Sequence, residues 1–135
     1  MKKLITFFSL LTIILLSGCS NDSNSNANNP QGQWKLVNVS GTFAGIDNDF
    51  EPGLITWDFN PITQTVSILN NNTDPDKWDV FETGVYNYQI VDNPDYPCGE
   101  ILKIDGIEMG CFSTSDNEFV IDQSIADGFR LQFVE

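Results

Sequence analysis

Between Gln33 and Val134 the chain returns again and again to short runs in which apolar and polar residues alternate, and nowhere does it sustain the apolar spacing of a helix. A period of two places successive side chains on opposite faces of a strand, so each run reads as a strand with one face to bury. The run "QWKLVNVSG" sets Trp34 and Leu36 against Lys35, Val37 and Val39. "LITWDFN" groups Ile55, Trp57 and Phe59, "QTVSILN" groups Val66 and Ile68, and "TGVYNYQIV" groups Tyr86, Tyr88 and Ile90. "EFVIDQ" aligns Phe119 with Ile121, and "FRLQFV" aligns Phe129, Leu131 and Phe133. In "ILKIDGIEMGCF" two alternating arms flank Asp105-Gly106, the pair that suits a type I′ hairpin turn. Turn residues separate most of these runs closely. The expected fold is therefore all-β, a small antiparallel up-and-down barrel of about eight strands, with a β-sandwich as the alternative. Strands of about six residues at about 3.3 Å each make such a barrel only about 20 Å tall.

The inward faces are rich in rings: Trp34, Trp57, Phe59, Tyr86, Tyr88, Phe119, Phe129 and Phe133. An eight-stranded barrel is just wide enough for side chains or one small ligand. Two readings follow. The rings line a pocket for a small apolar ligand, with Trp57, Tyr86 and Tyr88 as its binding residues, or they fill the interior and leave a shallow cup at the open end.

Ahead of the strands stand Lys2 and Lys3, an apolar stretch from Leu4 to Leu16, and small residues leading to Cys19. That order is the order of an export signal, residues 1–18, and the apolar core is shorter than the roughly 20 residues that span a bilayer. Leu16-Ser17-Gly18-Cys19 resembles the lipobox of bacterial lipoproteins. The resemblance implies that the Cys19 thiol receives a diacylglyceryl group, that the chain is cut before it, and that the new N-terminus is acylated by a fatty acid such as palmitate. Each buried methylene contributes about 0.8 kcal/mol, so several chains give a near-permanent membrane anchor. Ser20 in place of Asp agrees with sorting to the outer membrane in that family. Residues 19–31, dominated by Asn and Ser, cannot bury surface and read as a flexible tether to a domain at 32–135.

Loss of the signal leaves 4 basic against 19 acidic residues, a net charge of −15. Nucleic acid and anionic headgroups repel such a chain, so no nucleic-acid partner is expected and membrane contact rests on the lipid. The sequence contains no histidine, which removes His-based triads, His–Zn sites and His pH switches.

With Cys19 assigned to lipid, Cys98 and Cys111 remain in an oxidising compartment, where a structural disulfide is expected and two free buried thiols are the alternative. If Ile104 faces Ile107 across the hairpin, Cys111 falls opposite Glu100 and Cys98 opposite Ser113. The two cysteines are then diagonal, and bonding them requires an irregularity at Pro97-Cys98-Gly99.

Gly32-Gln33-Trp34, opening the first strand, resembles the Gly-x-Trp start of the lipocalin and calycin families. The resemblance implies a lipocalin-like barrel and an Arg near the end of the last strand packed across the Trp, a place that falls to Arg130. By alternation Arg130 points opposite to Phe129 and Leu131.

Two acidic loops, "GIDNDFEPG" and "NNNTDPDKWD", carry alternate oxygens of the kind that surround Ca²⁺, at Asp47, Asp49, Asn72, Asp74 and Asp76 among others. Neither has the central Gly and terminal Glu of the twelve-residue calcium loop, and turn formation alone accounts for the composition. No metal or cofactor is expected. The sequence holds no Gly-x-Ser-x-Gly elbow, phosphate loop or dinucleotide fingerprint, and singles out no pair of carboxylates for hydrolysis. Trp78, in the second loop, reads as an exposed aromatic for a partner or as a lid. The expected function is that of a non-enzymatic lipoprotein anchored in the outer membrane, capturing a small apolar ligand or else serving as an interaction or structural module with a filled core. The sequence names no protein partner.

Overall fold

The computed structural model describes residues 29–123 and 127–135; the expected signal, Cys19 and most of the tether lie outside them. Nine strands form one antiparallel sheet: β1 (Gly32–Gly41), β2 (Ile46–Asp49), β3 (Ile55–Asn60), β4 (Thr65–Asn70), β5 (Gly84–Asp92), β6 (Glu100–Ile104), β7 (Ile107–Thr114), β8 (Glu118–Asp122) and β9 (Phe129–Val134). Neighbours in sequence pair in order from β3 to β9, and β9 then pairs with β1. That last pairing closes eight strands into an up-and-down barrel, to which β2 is an addition.

The eight expected strands are all present. The ninth, β2, lies in the stretch read as an acidic loop, where four residues, Ile-Asp-Asn-Asp, alternate too briefly to stand out. It pairs with the upper part of β1, Asn38–Gly41, while β3 pairs with the lower part, Gly32–Lys35. Between the two, β1 bulges. Leu36 faces Phe133 and Asn38 faces Gln132, so Val37 has no partner on β9. One extra residue reverses the alternation. Val39, expected on the outer side with Lys35, is instead fully buried with Leu36.

The β6–β7 hairpin turns at Asp105 (φ 50°) and Gly106 (φ 81°), both left-handed as a type I′ turn requires. Ile104 faces Ile107, as expected. The register then slips within the hairpin. Lys103 faces Glu108 but Leu102 faces Gly110, leaving Met109 as a bulge. The irregularity that the cysteines need lies where it was expected, in the turn at Pro97-Cys98-Gly99 ahead of β6, where Gly99 has a φ of 76° and its amide bonds to the Tyr96 carbonyl (3.1 Å); the slip on β7 is a separate bulge. Gly110 supplies it with a φ of 100°, and a Cβ at this position would run into the Asp122 carbonyl of β8.

Inside, rings meet rings from end to end. Phe119 lies 5.7 Å from Trp34, 5.4 Å from Phe59 and 5.3 Å from Phe133, and Phe133 lies 5.0 Å from Trp57. Tilted and edge-on pairs of this kind add about 0.5–1.5 kcal/mol each to plain burial. The lower end is closed by the segment before β1. Pro30 is buried, the Trp34 indole donates to the Gln31 carbonyl (3.1 Å), and the Tyr88 hydroxyl donates to the Asn29 side chain (3.3 Å). The upper end carries the β1–β2 turn, the β8–β9 loop and the long loop at 71–83.

Phe119→Ala removes the ring that links three others and should cost about 3–5 kcal/mol in urea unfolding. Gly110→Ala, which adds a side chain to a left-handed backbone facing a carbonyl, should cost about 1–3 kcal/mol with the barrel retained by circular dichroism.

Candidate functional site

Of the three residues expected to bind a ligand, Trp57 is 0% exposed and Tyr88 2%, while Tyr86 is half-buried. They do not form one cluster. Tyr86 and Trp57 are joined through Phe81, whose ring lies 5.0 Å from the first and 5.6 Å from the second. Tyr88 sits lower, against the edge of Phe59 at 5.3 Å. The two tyrosine hydroxyls point to opposite ends: Tyr86 donates to the Glu82 carbonyl (3.0 Å) above, and Tyr88 to Asn29 below. In this arrangement the rings themselves occupy the interior.

Phe81 comes from a loop, and the alternation that reveals strands says nothing about it. Loop 71–83 is built as a series of side-chain caps. Asn70 Oδ1 accepts from the Asn72 amide, Asn72 Oδ1 from the Asp74 amide, and Asp74 Oδ1 from the Asp76 amide, at 2.9, 3.1 and 3.0 Å. The alternate oxygens that suggested a cation therefore turn the chain, and among the described residues no three metal-ligating side chains converge. The Asn70 side-chain amide also donates to the Phe81 carbonyl (2.8 Å), which fixes the loop's returning end to β4.

Two long-range contacts hold the outer part of the loop. The Lys77 ammonium donates to the Asp49 carbonyl (2.6 Å) and lies 5.4 Å above the Phe50 ring. Trp78 stands edge-on to Phe129 of β9 at 5.0 Å. Beside them lies an open acidic cleft of about 460 Å³, lined by Asp74, Asp76, Asp79 and Glu82 together with Trp78.

Two features of this end are costly. Val80, immediately before Phe81, has a φ of 73°. A β-branched residue in the left-handed region costs about 1–3 kcal/mol. The Trp57 ring packs against Phe81, and its buried Nε1 proton has no acceptor among the described residues, a loss of about 1–3 kcal/mol for a neutral donor. The indole of Trp34 and both core tyrosine hydroxyls have acceptors.

Arg130 does not pack across Trp34. It faces Ser40 near the upper end of β1, whereas Trp34 belongs to the lower end, and its guanidinium lies 3.9 Å from Asp122 on the outer wall. Cys98 and Cys111 are bonded, with Cα atoms 5.9 Å apart, and tie the β5–β6 loop to β7. A second open cleft, about 390 Å³, runs beside the disulfide over Ser113, Val120 and Arg130.

Burial pushes the Tyr88 phenol above the ordinary tyrosine range. The neutral form is thus favoured by folding. Its contribution is fully present below about pH 10 and is lost as pH rises through the raised folded value. Tyr88→Phe should accordingly flatten the alkaline fall in melting temperature. Replacing both Cys98 and Cys111 by Ser should lower stability by about 3 kcal/mol in denaturant, with the same drop in the parent protein on adding reductant.

No protein-family model, curated protein or solved structure matches the chain. Its likeness to lipocalins is one of architecture, a closed eight-stranded antiparallel barrel with one strand added.

Proposed function

We propose that this chain is a lipoprotein of the bacterial outer membrane, held by fatty acids on Cys19, and that its barrel acts without catalysis by docking a cationic protein partner on its upper rim. The observation that carries the docking is a pair of exposed aromatics in a field of carboxylates. Phe43 is 92% exposed and Trp78 38%. They share an end of the barrel, because the Thr42 amide bonds to the Gly128 carbonyl (2.9 Å), next to the Phe129 ring that Trp78 rests on. Around them stand Asp47, Asp74, Asp76, Asp79 and Glu82, and the one lysine nearby, Lys77, is committed to Asp49 and Phe50. Apolar anchors ringed by acid complement a partner that offers basic groups around an apolar contact.

The anchor reading rests on the lipobox and fits the way the chain joins the fold. Asn29 lies at the lower end, so an anchor on Cys19 joins the domain at the end opposite the upper rim.

Cys19→Ser should move the protein from the membrane to the soluble fraction with its melting curve unchanged; continued retention would remove the anchor. For the rim, binding of a Lys- and Arg-rich peptide followed by anisotropy should weaken about fivefold or more in Phe43→Ser and Trp78→Ala. Ile62→Ser, at the exposed lower turn, should leave it unchanged. Equal effects from all three would reduce the interaction to bulk charge.

A further inference from the structure

We infer that loop 71–83 is a gate and Phe81 its plug, and that withdrawing the plug opens the upper end of the barrel to a small, neutral, largely apolar molecule whose one hydrogen-bond acceptor takes the Trp57 indole proton. This inference rests on a different observation from the docking surface, the buried Trp57 indole below the loop, although both use residues of loop 71–83.

Trp57 is wholly buried among Phe59, Phe81 and Phe133, and its Nε1 has no partner among the described residues. Buried donors are nearly always satisfied, so an orphan calls for an acceptor from outside the described residues, a water or a ligand. Among the described residues the other buried orphan is the Thr114 hydroxyl, at the opposite end of the barrel, where β7 finishes. Of the rings around Trp57, only Phe81 comes from a loop; Phe59 and Phe133 belong to β3 and β9. Only Phe81 can therefore leave without breaking a strand pairing.

The loop is also built to release it. Val80 holds a left-handed conformation, with a φ of 73°, as long as Phe81 is seated, and withdrawal frees that residue to relax. Opposing this are the Asn70–Phe81 hydrogen bond, the Lys77–Asp49 contact and the Trp78–Phe129 pair, all at the surface or at its edge. The seat is thus strained from within and latched from outside, which is the make-up of a two-state element.

The walls decide what enters. With Phe81 withdrawn, the exposed lining is Trp57, Tyr86 and their apolar neighbours, and it offers one free donor, because the Tyr86 hydroxyl is bonded to Glu82. No basic residue lines the cleft above except Lys77, and the carboxylates there repel anions. A carboxylate-headed fatty acid is accordingly disfavoured against a neutral ketone, aldehyde, ester or ether. The space vacated by a phenyl ring, with slight relaxation, is of the order that admits a benzene-sized molecule, roughly 150 Å³.

Acetophenone and ethylbenzene, near-isosteres with and without an acceptor, are suitable probes. In ¹H–¹⁵N spectra of the intact domain, acetophenone should shift the Trp57 indole resonance and ethylbenzene should not. Phe81→Ala should tighten acetophenone about tenfold or more by removing the competing plug, and Phe81→Leu serves if the alanine variant does not fold. Val80→Gly, which accepts a positive φ and so settles the closed state, should weaken it severalfold. Trp57→Phe should abolish the preference for acetophenone over ethylbenzene while leaving the rim's peptide binding intact. The inference is overturned if the Trp57 resonance is unmoved by acetophenone in both the parent and the Phe81 variant, if the two probes bind the Phe81 variant equally, or if a long-lived water is found on the Trp57 indole that acetophenone does not displace.

Discussion

The ten residues of β1 serve three neighbours: β3 along the lower part, β2 along the upper part, and β9 along most of the opposite edge. A strand shared in this way cannot run straight, and the bulge at Val37 is where it bends. The bend lets β9 meet β1 and close the sheet, which removes the open edges that a row of strands this apolar on one face would otherwise present. Closure also creates the interior. Once the strands are joined, Trp34, Trp57, Phe59, Phe119 and Phe133 share the interior with aliphatic residues such as Leu36, Ile68 and Ile121, and the ring network follows from the enclosure.

Period-two alternation is a sufficient guide to eight strands because most have one face in the core and one in water; β8, with Phe119, Val120 and Ile121 all buried, is the clearest exception. Its failures share a cause. Alternation is a local signal, and a bulge resets its phase without leaving a mark in composition, so Val39 was placed outside and the slip at Met109 went unseen. Gly110 is the one visible hint of the second bulge, while the proline and glycine beside Cys98 mark a separate turn that the structure does contain. The β2 strand escaped because four residues with two aspartates look like a turn-rich loop.

The candidate site was legible to the same extent. Trp57, Tyr86 and Tyr88 lie on strands, where alternation marks the inward side, but it does not show that Tyr86 and Tyr88 turn toward opposite ends. Phe81 and Phe50 lie in loops, where no period exists, and their burial depends on where the loop folds back. The Lys77 contact with Asp49 and the Trp78 contact with Phe129 join segments far apart in sequence, which no local pattern encodes. Trp78 alone was conspicuous, as a large ring in an otherwise polar stretch.

The chain's way into the barrel has a mechanical consequence. Gln31 and Asn29 are bonded to Trp34 and Tyr88 at the lower end, and β1 begins one residue later. Any pull transmitted from the N-terminal side acts along the axis of β1. Its hydrogen bonds to β3 and β9 then bear the load side by side, in shear, and cannot be peeled open one after another. A domain seated in this manner can be tugged by a short leash without giving up its first strand.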